Sequence, residues 1–371
     1  MINIFKKFFY FCLVFLFIFL VKPVNAQEPR GEIIEGRVVE IIESGENIVD
    51  DQVFPFQVIE VLVDHGSLEG SQVQVLNESG LDANNLTVVN YQAYELGDRL
   101  RIYTDFNQED ERFFVIDGLV KRQALLFLFI IFILAVLVVT GRLGLLALLG
   151  LFISFLVISR VLIPMVLAGR PPLLSAMISS LLIIPASFYL TQGFKNKTHS
   201  AVLATIVSLL ITMLLAFYFV NLTNLTGFAS EEAAFVSTMS RGQINLLSLL
   251  FAGIMIGALG VLDDVTIGQA SVVEQLKLAN PKLDPWALFL QSMKVGRDHV
   301  SSMINTLILV YAGSAMPLLI LFFDGNHGFI DVIELEIVAE EIVRTLVSSL
   351  GLMLAVPLTT FLSVFVFKTK E

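Results

Sequence analysis

Thiol chemistry is almost absent from this chain: its single cysteine, Cys12, stands in an apolar run near the start. Disulfides, redox pairs and thiolate metal sites are thereby excluded from everything that follows. Histidine is scarce as well, four residues in all, and His199, His299 and His327 show no metal-ligand spacing. Charge is the third shortage, since only 15% of residues are charged while 56% are hydrophobic, against about 25% and 45 to 50% in soluble domains. A single soluble enzyme domain is excluded. The formal charge of −11 has the wrong sign for a nucleic-acid surface, and neither a phosphate loop nor a nucleophile motif is present. No enzymatic activity and no cofactor are expected.

What charge there is lies unevenly. From Gln27 to Arg122 there are 20 acidic residues against 7 basic ones, a net of −13, and the rest of the chain sums to +2. Two regimes therefore share the polypeptide: a polar acidic segment long enough for a small domain, and a remainder that is nearly charge-free.

Ahead of both, Lys6 and Lys7 precede the run FFYFCLVFLFIFLV from Phe8 to Val21, which ends in Val24-Asn25-Ala26. Residues 1–26 read as a signal peptide; an uncleaved anchor is the alternative, and either exports residues 27–122. That segment shows short alternating runs, EIIEGRVVEII, VFPFQVIEVLVDHG, SQVQVLN, LTVVNY, GDRLRIYTDF and RFFVIDGLV, separated by turn residues. Alternation of this kind predicts five or six strands and a small all-β domain, an OB-like barrel or a sandwich. His65 reads as a turn residue.

From Gln123 to Glu371 the chain reads as a multi-pass membrane domain. Seven apolar stretches are long enough to cross a bilayer: residues 123–140, 143–167, 172–191, 200–222, 243–267, 303–323 and 346–367. The second contains Arg160, which either snorkels to the headgroups or sits in a functional site. If the β domain is outside, the inner segments hold Arg142, Lys195, Lys197, Lys277, Lys282, Lys294, Arg297, Lys368 and Lys370. The outer loops then hold only Arg170, Arg241 and Arg344. This asymmetry follows the positive-inside rule and puts the C-terminus in the cytoplasm, with the protein in the plasma membrane and the lipid bilayer as its first partner.

A carboxylate in hydrocarbon is costly unless paired, protonated or wet, so polar groups inside spans are where function is sought. On the fifth span Gly253, Gly257, Gly260, Asp264, Gly268 and Ser271 succeed one another at helical spacing and form one stripe. The glycines are read as helix-packing positions and lead directly to a carboxylate. Two readings of Asp264 stand: a role in the inner half of the membrane, or a hydrated residue marking the end of the span. Asp263, off the stripe, is assigned the second. Beyond the next loop, Asp298, Ser301, Ser302 and Asn305 share a helix face. Arg297 is open to pairing with Asp264 or Glu274, or to being a positive-inside residue only. Asp264, Gln269, Glu274, Arg297, Asp298 and Asn305 make up the candidate polar network.

The runs GALGVLDDVTIGQASVVEQL, SMKVGRDHVSSMINTLILVYAGSAMPLLILF and EIVRTLVSSLGLMLAVPLTTF resemble the bacterial YibE/F family of multi-pass membrane proteins. The resemblance extends over essentially the whole mature chain. It implies that Gly257, Gly260, Asp264, Glu274, Gly296, Arg297, Asp298, Asn305, Thr306, Tyr311, Arg344 and Pro357 are characteristic positions. Asp263 departs from it, an apolar residue being usual there. The family brings no established activity.

The expected architecture is thus an α-helical polytopic membrane protein of about seven transmembrane helices with an exported β domain at its N-terminus. Its expected function is that of a secondary transporter or permease, in which Asp264 binds the coupling ion, Asn305 and Gln269 line the path and Arg297 gates it. The alternative is a non-transporting scaffold or sensor whose acidic β domain contacts an envelope partner. An intramembrane aspartyl protease would need a second catalytic aspartate, for which only Asp298 is available. No oligomeric state is implied.

Overall fold

The computed structural model describes residues 31–368 apart from 50–51, 79, 82–87, 90, 107–110, 318–319 and 321–327. The expected signal peptide lies outside the described residues, as does part of the stretch 303–323. The chain divides into two compact units, Asn25–Val138 and the remainder.

The first unit is built on a five-stranded antiparallel sheet in the order β3-β2-β1-β6-β7. Its strands are β1 (Glu32–Val49), β2 (Gln52–His65), β3 (Gln72–Glu78), β6 (Arg99–Phe106) and β7 (Arg112–Leu119); the short pair β4 (Gly80–Leu81) and β5 (Val88–Val89) forms a separate ladder. β1 is long and breaks register with β2 at Glu35/Gly36, Val38/Glu40 and Ile41/Glu43. Bulges of this kind bend a strand and increase its twist, and the edge strands β3 and β7 come together. The sheet is a partly open barrel, in agreement with the OB-like expectation. Alternate residues of each strand point inward, so Ile34, Val38, Ile59, Val61, Val63, Val75, Leu100 and Ile102 form the core.

Polar side chains tie the barrel's connections. Gln57, buried on β2, accepts from the Tyr94 backbone amide at 2.9 Å and donates back to the Tyr94 carbonyl at 3.3 Å. One side chain thereby satisfies both backbone groups of a residue that has no strand partner. Ser67, through its hydroxyl and then its backbone amide, holds the Glu32 carboxyl below the usual carboxylate range. Gly66, at φ +121°, packs against Ile34 where a side chain would collide. His65 closes β2 at this turn.

Helices follow: α1 (Arg122–Thr140), α2 (Arg142–Val157), a π-turn (Ile158–Leu162) running into α3 (Ile163–Leu167), α4 (Pro172–Gln192), α5 (Asn196–Leu222), α6 (Glu231–Met239), α7 (Leu246–Ala279), α8 (Pro285–Ser314), α9 (Phe329–Ile333) and α10 (Glu336–Lys368). Among the described residues six segments are long and apolar enough to cross a membrane: Arg122–Thr140, Arg142–Leu167, Pro172–Gln192, Asn196–Leu222, Leu246–Ala279 and Glu336–Phe367. They coincide with six of the seven expected spans. The remaining one, 303–323, begins on α8 and runs onto residues that are not described. The π-turn has a local cause: Pro164 offers no N–H to the carbonyl four residues back, so the ladder widens there. Arg160, on that turn, is exposed rather than enclosed by helices.

The second unit is held by small residues. α5 turns Ala201, Ala204, Thr205, Ser208, Thr212 and Ala216 inward, and α10 answers with Ser348, Gly351, Leu352, Ala355, Thr359 and Ser363. In a bilayer, where apolar burial supplies little between helices, such close backbone approach and interhelical hydroxyl bonds drive packing. Ser363 donates to Ser200 at 2.9 Å, and the Thr205 and Thr266 hydroxyls lie 2.7 Å apart.

Candidate functional site

α7 begins at Asn245, whose side chain accepts from the Ser248 amide at 2.7 Å, an N-cap bond. The helix then runs unbroken for 34 residues. Asp263 and Asp264 stand midway along it, roughly 25 Å from either end at ~1.5 Å per residue. They are the only charged residues between Leu246 and Val273. The helix thus does not end at these acids, and uncharged turns flank them on both sides.

The two side chains face different ways. Asp263 is partly buried, and the Ser187 hydroxyl of α4 donates to its Oδ2 at 3.4 Å. Asp264 is exposed within the chain. The buried face of α7, carrying Leu262, Val265, Thr266, Gln269 and Val273, lies across the helix from the stripe of Gly253, Gly257, Gly260 and Asp264. Nothing lies within 4 Å of where a Cβ would stand on Gly253 or Gly260. These two expected packing positions therefore contact no neighbouring helix among the described residues.

α8 runs along one side of the stripe. The Tyr311 hydroxyl comes within 3.6 Å of the position of a Cβ on Gly257, and His299 within 3.7 Å of one on Gly268. His299, read as a boundary residue, therefore lies beside the stripe at Gly268. With α4 at Asp263 and α8 at Gly257 and Gly268, the stripe is the floor of an open face on α7.

Gln269 is placed elsewhere. It is 2% exposed, and its amide donates to the Ser292 carbonyl of α8 at 3.0 Å and to the Thr360 hydroxyl of α10 at 2.7 Å. One side chain thus clamps three helices. Gly296 makes room for it, since a Cβ there would meet Val356 at 2.6 Å and the Gln269 amide oxygen at 2.8 Å. The glycines that hold helices together are Gly296 and, between α5 and α10, Gly351. Only part of the stripe contributes to packing.

Glu274 pairs with Lys197 of α5 at 3.1 Å, and Lys197 also reaches the Ser271 hydroxyl at 3.3 Å. Arg297, one of the expected partners for Glu274 or Asp264, is exposed and makes no ion pair with either. Asp298, Ser301, Ser302 and Asn305 share a face, as their spacing predicts. That face is exposed and turned away from the Ser292, Gly296 and Leu307 contacts, so it does not meet Asp264. The site the structure assembles is Asp263 with Ser187, Asp264 on the glycine face edged by Tyr311 and His299, and Lys197 with Glu274 and Ser271 farther along α7. Ser187 and Lys197 lie 76 and 77 residues from their partners, and no local pattern announces them.

No group of three or more acidic, histidine or cysteine side chains capable of holding a metal occurs among the described residues. Six membrane-length apolar helices with carboxylates at the middle of one define a multi-pass membrane protein. Residues 128–369 match the YibE/F-like protein family, well over half of the chain, and the chain belongs to that family. No curated protein and no solved structure matches it.

Proposed function

We propose that this protein is a secondary transporter or permease, not an enzyme, that works by binding a proton or cation at the α7 carboxylates. It sits in the plasma membrane with its β domain outside and its C-terminus in the cytoplasm. The observation that carries the reading is the pair Asp263 and Asp264 midway along α7, one turned to Ser187 within the bundle and the other onto an open glycine face. Intramembrane carboxylates are expensive, and proton and ion pathways are their usual employment. A glycine floor leaves width for water or a substrate, and His299 and the Tyr311 hydroxyl supply polar groups along its edge. Lys197 and Glu274 sit where this face ends and would control access to it.

The alternative, a membrane scaffold or sensor, has its own support in the exposed polar face of α8 at Asp298, Ser301, Ser302 and Asn305 and in the acidic β domain, which would take an envelope partner.

Water access separates the two. With Cys12 replaced by Ala, single cysteines at Gly260, Asp264 and Gly268 are expected to react with a membrane-impermeant thiol reagent. Cysteines at Val265 and Ala270, both fully buried, are expected to stay unmodified. Failure of all three stripe positions to react would rule out a hydrated path.

A further inference from the structure

The β barrel and nearly all of α1 belong to one compact unit, Asn25–Val138, and the junction between them leaves almost no free chain. Leu119, the last residue of β7, pairs with Leu100 of β6, and the Val120 amide extends that ladder by donating to the Arg99 carbonyl at 2.8 Å. One residue later the Lys121 carbonyl accepts from the Leu125 amide at 3.1 Å and opens the helix. Only the bonds between the Val120 amide and the Lys121 carbonyl therefore lie outside both hydrogen-bonded frames. Rotation about those few soft dihedrals would still let a barrel swing.

A side-chain contact closes off that swing. Arg122, the first residue of α1, reaches Glu35 of β1, 87 residues earlier in the chain. Its Nη1 donates to Oε1 at 3.1 Å, and its Nη2 lies 3.0 Å from Oε2. An exposed ion pair contributes little as a rule, and a two-point contact between arginine and carboxylate is the exception. Two contacts fix the direction of the helix as well as its distance. Glu35 is itself held, for its side chain is only 17% exposed. It stands where β1 breaks register with β2, beside Gly36, where a Cβ would meet the Leu62 carbonyl at 2.6 Å.

α1 has little of its own with which to set its orientation. From Leu125 to Val139 every side chain is apolar, so no polar group along that stretch distinguishes one face from another. Its 19 residues span roughly 28 Å at ~1.5 Å each, close to the hydrocarbon thickness, so length dictates no tilt either. Anchors at the ends of such a span then decide how it stands in the bilayer, and the Glu35–Arg122 pair is the anchor at the barrel end.

We infer that the barrel and α1 turn as one rigid body, with Glu35 and Arg122 as the clamp, so that a rotation of the barrel is a rotation of the first span. The inference goes beyond the transport reading and does not depend on it.

The test is double electron–electron resonance on the full-length protein in lipid nanodiscs, with Cys12 replaced by Ala and spin labels on introduced cysteine pairs. One pair, at Leu76 and Leu128, reports from barrel to span; the other, at Leu76 and Val115, reports within the barrel. All three positions are exposed. The barrel-to-span distance distribution is expected to be no wider than the one within the barrel. Glu35→Ala and Arg122→Ala are each expected to lose that narrow distribution while the one within the barrel stays as it was. The charge-reversed double variant, Glu35→Arg with Arg122→Glu, is expected to recover it, and it carries the test should a single variant disturb the barrel itself. A wild-type barrel-to-span distribution broader than the one within the barrel, a narrow one kept by both single variants, or no recovery on charge reversal overturns the inference.

Discussion

Replacing Glu274 by Gln is expected to destabilise the folded helical unit by about 2 kcal/mol, and replacing Lys197 by Met by a similar amount. The two side chains meet at 3.1 Å and are only 20% and 13% exposed. Breaking a fully buried pair by removing one partner costs about 3–5 kcal/mol, because the other charge is left without compensation. Residual solvent access lowers that figure here. Loss of the ammonium also leaves Ser271 without its donor. The double variant Lys197→Met with Glu274→Gln removes both charges and should recover most of the loss, since replacing a whole pair by neutral groups is often nearly free. A double-mutant cycle on unfolding in detergent measures this directly. A coupling near zero would make the pair a surface contact with no control over the α7 face.

Gly351→Ala is expected to cost about 2 kcal/mol or more, and Gly351→Val considerably more. A Cβ on Gly351 would collide with the Thr212 hydroxyl, with the Thr212 Cβ and Cγ2 behind it at 3.1 Å. Thr212 is itself pinned, its hydroxyl donating to the Ser208 carbonyl at 2.8 Å. Overpacking a tight contact costs about 1–3 kcal/mol, occasionally more, and here it must also outweigh the ~1 kcal/mol that alanine gains over glycine in a helix. Adding Thr212→Ala should restore part of the loss, because the nearest atom is gone while Cβ remains. Gly253→Ala and Gly260→Ala make the control: with no described residue within 4 Å of a Cβ at either, only the propensity gain is left, and stability should hold or rise. Unfolding midpoints of the five variants decide the matter. Equal losses at Gly253 and Gly351 would contradict the packing described.

The spans were legible because a bilayer demands about 20 apolar residues in a row, and such runs survive any tertiary arrangement. The small all-β domain was legible for a similar reason, as alternation marks which residues point inward, while the choice between barrel and sandwich waited on how the sheet bends. Helix length was less so: α7 continues to Ala279, since nothing in the run from Asp264 to Leu278 breaks a helix even where the apolar zone ends. The glycine stripe was visible as a spacing, yet spacing defines a face and not its neighbours. Gly253 and Gly260 consequently looked like packing positions, whereas the close approaches occur at Gly296 and Gly351. The same gap separates Asp263 from Asp264, because one residue of rotation decides which carboxylate meets Ser187. Gln269 as a three-helix clamp and Lys197 as the partner of Glu274 depend on helices distant in the chain, and no local pattern encodes such meetings.

The central claim is that the carboxylates of α7 carry a proton or cation across the membrane. Its direct test is uptake of protons, and separately of sodium, into proteoliposomes under an imposed membrane potential. The wild-type protein and the double variant Asp263→Asn with Asp264→Asn would be compared, both shown to be folded in detergent. Faster uptake of one ion by the wild type than by protein-free vesicles is predicted, with uptake by the double variant falling to the protein-free level. Equal uptake by the two proteins, or none of either ion by the folded wild type, would contradict the account.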